Sequence, residues 1–266
     1  MLVDSHCHLN SSEIIDRIVE VVRNAQINGI ELLQTISTKI SQHDELLKIV
    51  ERQEKVFCSV GNHPLNLQSE GIVHHQDIVR LCSHEKVTSI GETGLDYLLL
   101  NKDHHEKQQK SFIEHIIAAQ ISGLPIVVHT RNAEEDTARI LSTMMKKKKF
   151  TGVVHCFTAT AKLARTCLDL GLYISASGIV TFKNAGDIRN TFANVVPSER
   201  LLVETDAPYL SPVPVRGKSN EPAYLKHTAR FMANLLNLEY EEFCKITTQN
   251  YFSLFKKARL YISKKE

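Results

Sequence analysis

Eight short runs rich in Val, Ile and Leu, separated by longer amphipathic stretches, constrain this chain more than any other feature. They fall at Leu2–His6, Ile30–Ile36, Val56–Val60, Val87–Ile90, Pro125–His129, Gly152–His155, Leu172–Ala176 and Leu201–Thr205. Runs of this length and composition read as buried strands. The segments between them are long enough for the crossover helices that parallel pairing requires. Phe112, Ile113, Ile116 and Ile117 form one helical stripe, and Leu163, Ala164, Cys167 and Leu168 form another that stops at Gly171. Asn220-Glu221-Pro222 reads as a further helix start.

Eight strand–helix units in 266 residues predict an α/β fold, a (β/α)8 TIM barrel occupying residues 1–266 as one domain. The competing architecture is a doubly wound open sheet, which concentrates polar residues near its switch point. Here polar residues follow nearly every apolar run, as a barrel that builds its site at the carboxyl ends of its strands requires.

Lys and Arg total 32 against 30 Asp and Glu, a net charge of +2 that excludes a general polyanion binder while permitting a local basic patch. The run Lys146-Lys147-Lys148-Lys149 ends a helix feeding the strand at Gly152, so it belongs on the amino-terminal face as solvated surface. No two of the six cysteines have the spacing of a zinc knuckle or a redox pair. The first residues lack the charged-then-apolar order of a signal peptide. No run approaches the ~18 apolar residues of a spanning helix. The expectation is a cytoplasmic protein with no membrane association and no obligate protein partner.

The chemistry gathers where the apolar runs end. In Asp4-Ser5-His6-Cys7-His8, strand periodicity sends alternate side chains to one side, so His6 and His8 can reach one metal, with Asp4 as a candidate orienter of an imidazole. Glu92 follows an apolar run and precedes Gly94, placed to bridge two ions. His129 and His155 each follow three or four apolar residues, and Asp206 ends the last run. Each residue alone reads as a satisfied polar group at a strand end. Together, four histidines and two carboxylates on five strand termini read as a metal site. Imidazole-rich donors with carboxylates suit zinc, manganese or cobalt better than magnesium alone. Six donors exceed one tetrahedral ion, and a hydrolytic pair of ions ~3.5–4 Å apart fits better.

The chain resembles the TatD family of metal-dependent deoxyribonucleases over its whole length. The motifs are Val3-Asp4-Ser5-His6-Cys7-His8-Leu9, Gly61-Asn62-His63-Pro64, Ile90-Gly91-Glu92-Thr93-Gly94-Leu95-Asp96-Tyr97 and Val128-His129-Thr130-Arg131-Asn132-Ala133. Val154-His155-Cys156-Phe157-Thr158, Ser177-Gly178-Ile179-Val180-Thr181-Phe182 and Glu204-Thr205-Asp206-Ala207-Pro208-Tyr209-Leu210 complete the set. The resemblance implies two divalent ions (Zn, Mn or Mg) and phosphodiesterase activity on DNA. It implies that His6, His8 and Asp206 hold one ion, that His129 and His155 hold the other, and that Glu92 bridges them. Arg131 and Arg216 are implied to meet phosphate, a task suited to a guanidinium fork. His63 is implied to donate to a phosphate oxygen or the leaving group, against the plainer reading of a turn histidine. Asn62, Ala176 and Ser253 depart from the family pattern and bear on substrate preference.

The implied reaction is in-line attack of hydroxide on phosphorus with Asp206 taking the proton, in a 3′–5′ exonuclease on single-stranded DNA, with RNA a further substrate. An alternative is an ester or amide hydrolase on the same centre, such as a D-aminoacyl-tRNA deacylase. Glu92 in place of the carboxylated lysine of related amidohydrolases weakens the cyclic-amide version. A non-enzymatic binding protein would have eroded ligands, and here every position is filled.

Overall fold

The apolar runs form strands β1 (Leu2–Cys7), β2 (Ile30–Thr35), β3 (Val56–Val60), β4 (Val87–Asp96), β5 (Ile126–Arg131), β6 (Gly152–Val154), β7 (Tyr173–Ala176) and β8 (Leu201–Val203). They come from a computed structural model that describes residues 1–98 and 102–265. All pairs are parallel and the order is β1 to β8 in chain sequence. The seam between β8 and β1 is joined by a parallel bridge between Cys7 and Ala207 and by Asp206 N–H donating to His6 O at 2.8 Å. The result is the nearly closed (β/α)8 barrel that the rhythm predicts.

Helices α1 (Ile18–Ile27), α2 (His43–Arg52), α3 (Leu67–Glu70), α4 (His75–Leu81), α5 (His105–Ser122), α6 (Glu134–Lys147), α7 (Ala161–Asp169) and α8 (Gly186–Asn194) lie in the crossovers. Helices α9 (Leu225–Leu235), α10 (Tyr240–Leu254) and α11 (Lys256–Ser263) follow β8. The stripe Phe112, Ile113, Ile116 and Ile117 lies on α5 and packs in the layer between strands and helices. Lys146 and Lys147 end α6, and all four lysines of the run are exposed ahead of β6, as expected of solvated surface. Among the described residues, no helix is long and apolar enough to cross a membrane.

A second apolar layer takes one residue each from seven strands: Val3, Leu32, Phe57, Val127, Val153, Tyr173 and Leu202. Tyr251 and Phe255 from the carboxy-terminal helices pack into it. Above it lies a polar layer in which Gln34 binds Ser89, Thr88 and the Tyr251 hydroxyl, each at about 3 Å. Such stacked layers are how a small barrel fills its interior.

One element departs from the expectation in a way that matters for the site. Strand β4 does not end at Ile90 but continues through Gly91, Glu92 and Gly94 to Asp96. The hydropathy signal stops early because the inward positions there carry chemistry instead of packing. Gly94 has φ +141°, and a Cβ on it would lie 2.0 Å from His129 O, so only glycine lets β4 approach β5 this closely. Glu92 therefore sits within a strand, held by its neighbours on both sides, and not on a loop after one.

Candidate metal centre

The barrel brings six of the predicted residues to one point. His6 lies on β1 and His8 just past it, Glu92 on β4, His129 on β5, and His155 immediately after β6. Asp206 lies three residues past β8 in a left-handed conformation at φ 57°. His6 Nε2 and His8 Nε2 are 3.2 Å apart, so the strand-pleat argument holds. Asp206 Oδ1 lies 3.2 Å from His8 Nε2 and 3.5 Å from His6 Nε2.

Glu92 divides its two oxygens between two groups. Oε2 faces His6 Nε2 at 3.5 Å and His8 Nε2 at 4.0 Å. Oε1 faces His155 Nε2 at 2.7 Å, His129 Nδ1 at 3.0 Å and His63 Nε2 at 3.4 Å. Three sets of donor atoms lie within coordinating reach of one another: His6, His8 and Asp206; His6, Glu92 and His155; and His63, Glu92 and His129.

The outer nitrogens fix which way the lone pairs point. His8 Nδ1 donates to Ile36 O at 3.2 Å, His129 Nε2 to Asp96 Oδ2 at 3.1 Å, and His155 Nδ1 to Glu204 Oε1 at 3.2 Å. With the N–H turned outward, each neutral ring aims a bare nitrogen at the carboxylates and at another imidazole. His129 Nδ1 and His155 Nε2, for example, are 3.3 Å apart. Converging lone pairs repel unless a cation or protons lie between them. Outer acceptors of this kind are the usual partners of metal-ligating histidines. The residues present therefore fit divalent metal.

The charge states agree. Burial pushes Glu92 up, but the facing imidazoles outweigh it and hold the carboxyl well below its usual range. Asp206 follows the same pattern, burial opposed by the hydrogen bond from His8 and the nearby imidazoles, with a lowered result. Burial disfavours charge on His8, His129 and His155, yet the carboxylates raise all three. These are the properties of a compact cluster short of positive charge.

His63 behaves differently. Burial and the neighbouring histidines push it down to about 3, against the pull of Glu92. Its Nδ1 accepts from Leu65 N–H at 3.1 Å, so the neutral ring carries its proton on Nε2, toward Glu92. It is both a turn residue, as the plainer reading has it, and a donor facing the centre.

Asp4 corrects one expectation. Its carboxylate does not orient an imidazole; it accepts from Thr205 N–H at 2.9 Å, from the Thr205 hydroxyl and from the backbone of His6. It thereby ties β1 to the segment carrying Asp206, and burial pushes its carboxyl up to about 7. Arg131 ends β5, exposed, and lines the cleft above the cluster. Arg216 lies outside the lining of that cleft, with its guanidinium 4.2 Å over the Phe182 ring. The three departures also lie away from the lining. Asn62 is buried and accepts from Ile40 N–H, Ala176 is buried on β7, and Ser253 is an exposed residue of α10.

Two residues were missed by reasoning from the sequence, Asp96 and Glu204. Both stand in the quoted motifs, and a search for an outer acceptor for every metal-facing histidine would have singled them out. Asp96→Ala is expected to lower metal affinity about 10- to 100-fold, the usual cost of losing an outer partner. Chelator competition measures this, and unchanged affinity would show that Asp96 does not set the orientation of His129.

The cleft has a volume of about 650 Å³ and is lined by His8, His63, Glu92, His129, His155 and Asp206 together with Thr38, Leu65, Arg131, Ile179 and Tyr209. Fold and site together define a barrel with a buried imidazole–carboxylate cluster, suited to divalent metal, beside an open cleft. The chain belongs to the TatD family: the model for TatD related DNase matches residues 3–256. The uncharacterized metal-dependent hydrolase YcfH of Escherichia coli K12 is 41% identical over 260 residues, covering 96% of this chain and 95% of the relative. The uncharacterized metal-dependent hydrolase YabD of Bacillus subtilis is 36% identical over 259 residues, covering 96% and 99%. The crystal structure of the TatD homologue YJJV from E. coli K12 has the same fold, with a TM-score of 0.86 at 24% identity and coverage of 96% and 98%.

Proposed function

We propose that the protein is a divalent-metal-dependent phosphodiesterase that removes nucleotides from the 3′ end of single-stranded DNA, with RNA as a further substrate. The observation that carries this reading is the division of Glu92, one oxygen toward His6 and His8 and the other toward His129 and His155. A carboxylate so placed suits two ions, His6, His8 and Asp206 holding one, and His129 and His155 the other. Two such ions supply Lewis acidity, lowering the pKa of water and offsetting charge on phosphoryl oxygens.

The chain's own residues provide the rest. Asp206, ionised and facing the cleft, orients the attacking water and accepts its proton. Arg131, at the cleft wall, pairs with a non-bridging phosphate oxygen. His63, neutral with its proton on Nε2, donates a hydrogen bond to the leaving oxygen. A panel of DNA, RNA and D-aminoacyl-tRNA tests the reading. Cleavage of the nucleic acid backbone is expected; deacylation with intact backbones would overturn it.

A further inference from the structure

We propose that Tyr209 is a stacking platform for an unpaired nucleobase of the nucleotide being cleaved, an inference that rests on the phosphodiesterase reading above. The chain has no Trp, and among the described residues Tyr209 is the one Phe or Tyr side chain that stays mostly exposed, at 56%. A ring left in water forgoes the stabilisation that burial gives aromatic side chains. This ring stands at the wall of the cleft, edge-to-face with the metal-facing ring of His8 at 6.0 Å between centroids. Leu65, Ile179 and Leu210 line the same cleft and supply apolar surroundings for a flat ring.

The platform is held at a fixed distance from the centre. Tyr209 N–H donates to Asp206 O at 2.9 Å, so the two residues share one tight turn. Asn220, buried at 1% exposure, donates from Nδ2 to Thr205 O at 2.9 Å and to Tyr209 O at 2.6 Å. Its backbone N–H also donates to Pro208 O at 2.9 Å. The segment that carries Asp206 therefore carries Tyr209 as well, and a base resting on the ring would bring its phosphodiester to a defined place beside Asp206. Proteins that hold single strands without reading sequence use aromatic faces in this way. A base in a duplex has its faces and edge already occupied, so such a platform favours single strands.

The test compares metal-loaded wild type, Tyr209→Ala and Tyr209→Phe on two chains, a thymidylate decamer and the same phosphodiester backbone built from abasic tetrahydrofuran units. On the decamer, Tyr209→Ala is expected to lower kcat/KM about tenfold through KM, equivalent to about 1.4 kcal/mol and within the range of base–aromatic stacking. Tyr209→Phe is expected to match wild type, and on the abasic chain all three proteins are expected to be equal. Metal content, measured alongside, is expected to be unchanged, which a merely structural role beside His8 would not give. Equal activity of Tyr209→Ala and wild type on the decamer overturns the stacking role and leaves the nuclease reading standing. So does an equal loss on both chains, or a loss in Tyr209→Phe. If wild type cleaves neither chain with any metal, the nuclease reading falls and the platform with it.

Discussion

Glu92→Gln should reduce turnover by more than about a thousandfold, about 4 kcal/mol of transition-state stabilisation, while leaving the barrel folded. The substitution keeps the shape of a side chain that is 2% exposed, so the packing of β4 against β5 is unchanged. It removes the charge that faces five imidazoles, His6 and His8 on one oxygen and His63, His129 and His155 on the other. Among the described residues it is the one carboxylate paired with imidazoles of both groups: Asp206 pairs with His6 and His8, Asp96 with His129 and Glu204 with His155. Circular dichroism with metal analysis separates the outcomes. A folded, metal-poor and inactive variant is expected; a folded variant with wild-type turnover would remove Glu92 from the centre of the account.

The second large effect is the response of stability to metal and pH. In the metal-free protein burial lowers His8, His129 and His155, but the facing carboxylates leave them above the ordinary 6.5. Groups raised in this way stabilise the fold fully below about pH 6.5, and that contribution is lost as pH rises through their folded values. Glu92 and Asp206, held below 4.5 and 3.8, contribute above those values and lose it as the pH falls. His6 and His63 are held neutral mainly by burial, and they add to the loss on the acid side below 6.5. Metal held by the raised histidines would take the place of their protons, so it is expected to bind more tightly as they deprotonate.

The gap in Tm between metal-loaded and chelated protein should therefore widen from pH 5.5 to pH 8. With metal at about a thousand times its Kd the stabilisation is about 4 kcal/mol. At roughly 2–4 °C per kcal/mol for a chain near this size, the gap reaches about 10 °C. Thermal melts across the pH range check this. A gap that is constant or narrows toward pH 8 would contradict the assignment of the raised histidines as ligands.

Much of this was legible in the residues because barrel and site obey the same periodicity. Eight apolar runs with crossovers between them leave few topologies, and the polar residues that follow nearly every run fall on the face where a barrel builds its site. The alternation of His6 and His8 gave their common direction without any coordinates. What was not legible depended on partners across the sheet. Asp4 reads as an imidazole orienter along its own strand, yet its acceptor oxygens are taken by Thr205, 201 residues away in sequence. The extension of β4 to Asp96 is hidden because Gly91, Glu92 and Gly94 carry neither apolar periodicity nor strand propensity. Asp96 and Glu204 reveal their purpose only once the outer nitrogens of His129 and His155 are placed. Arg216 looks phosphate-directed in its motif, while the fold lays it on Phe182.

The most direct test of the central claim is cleavage of 3′-labelled and 5′-labelled single-stranded DNA by protein supplied with Mg²⁺, Mn²⁺ or Zn²⁺, with an EDTA control. Stepwise shortening from the 3′ end that stops in EDTA is expected. Strands that stay intact with every ion, or cleavage that continues in EDTA, would contradict it.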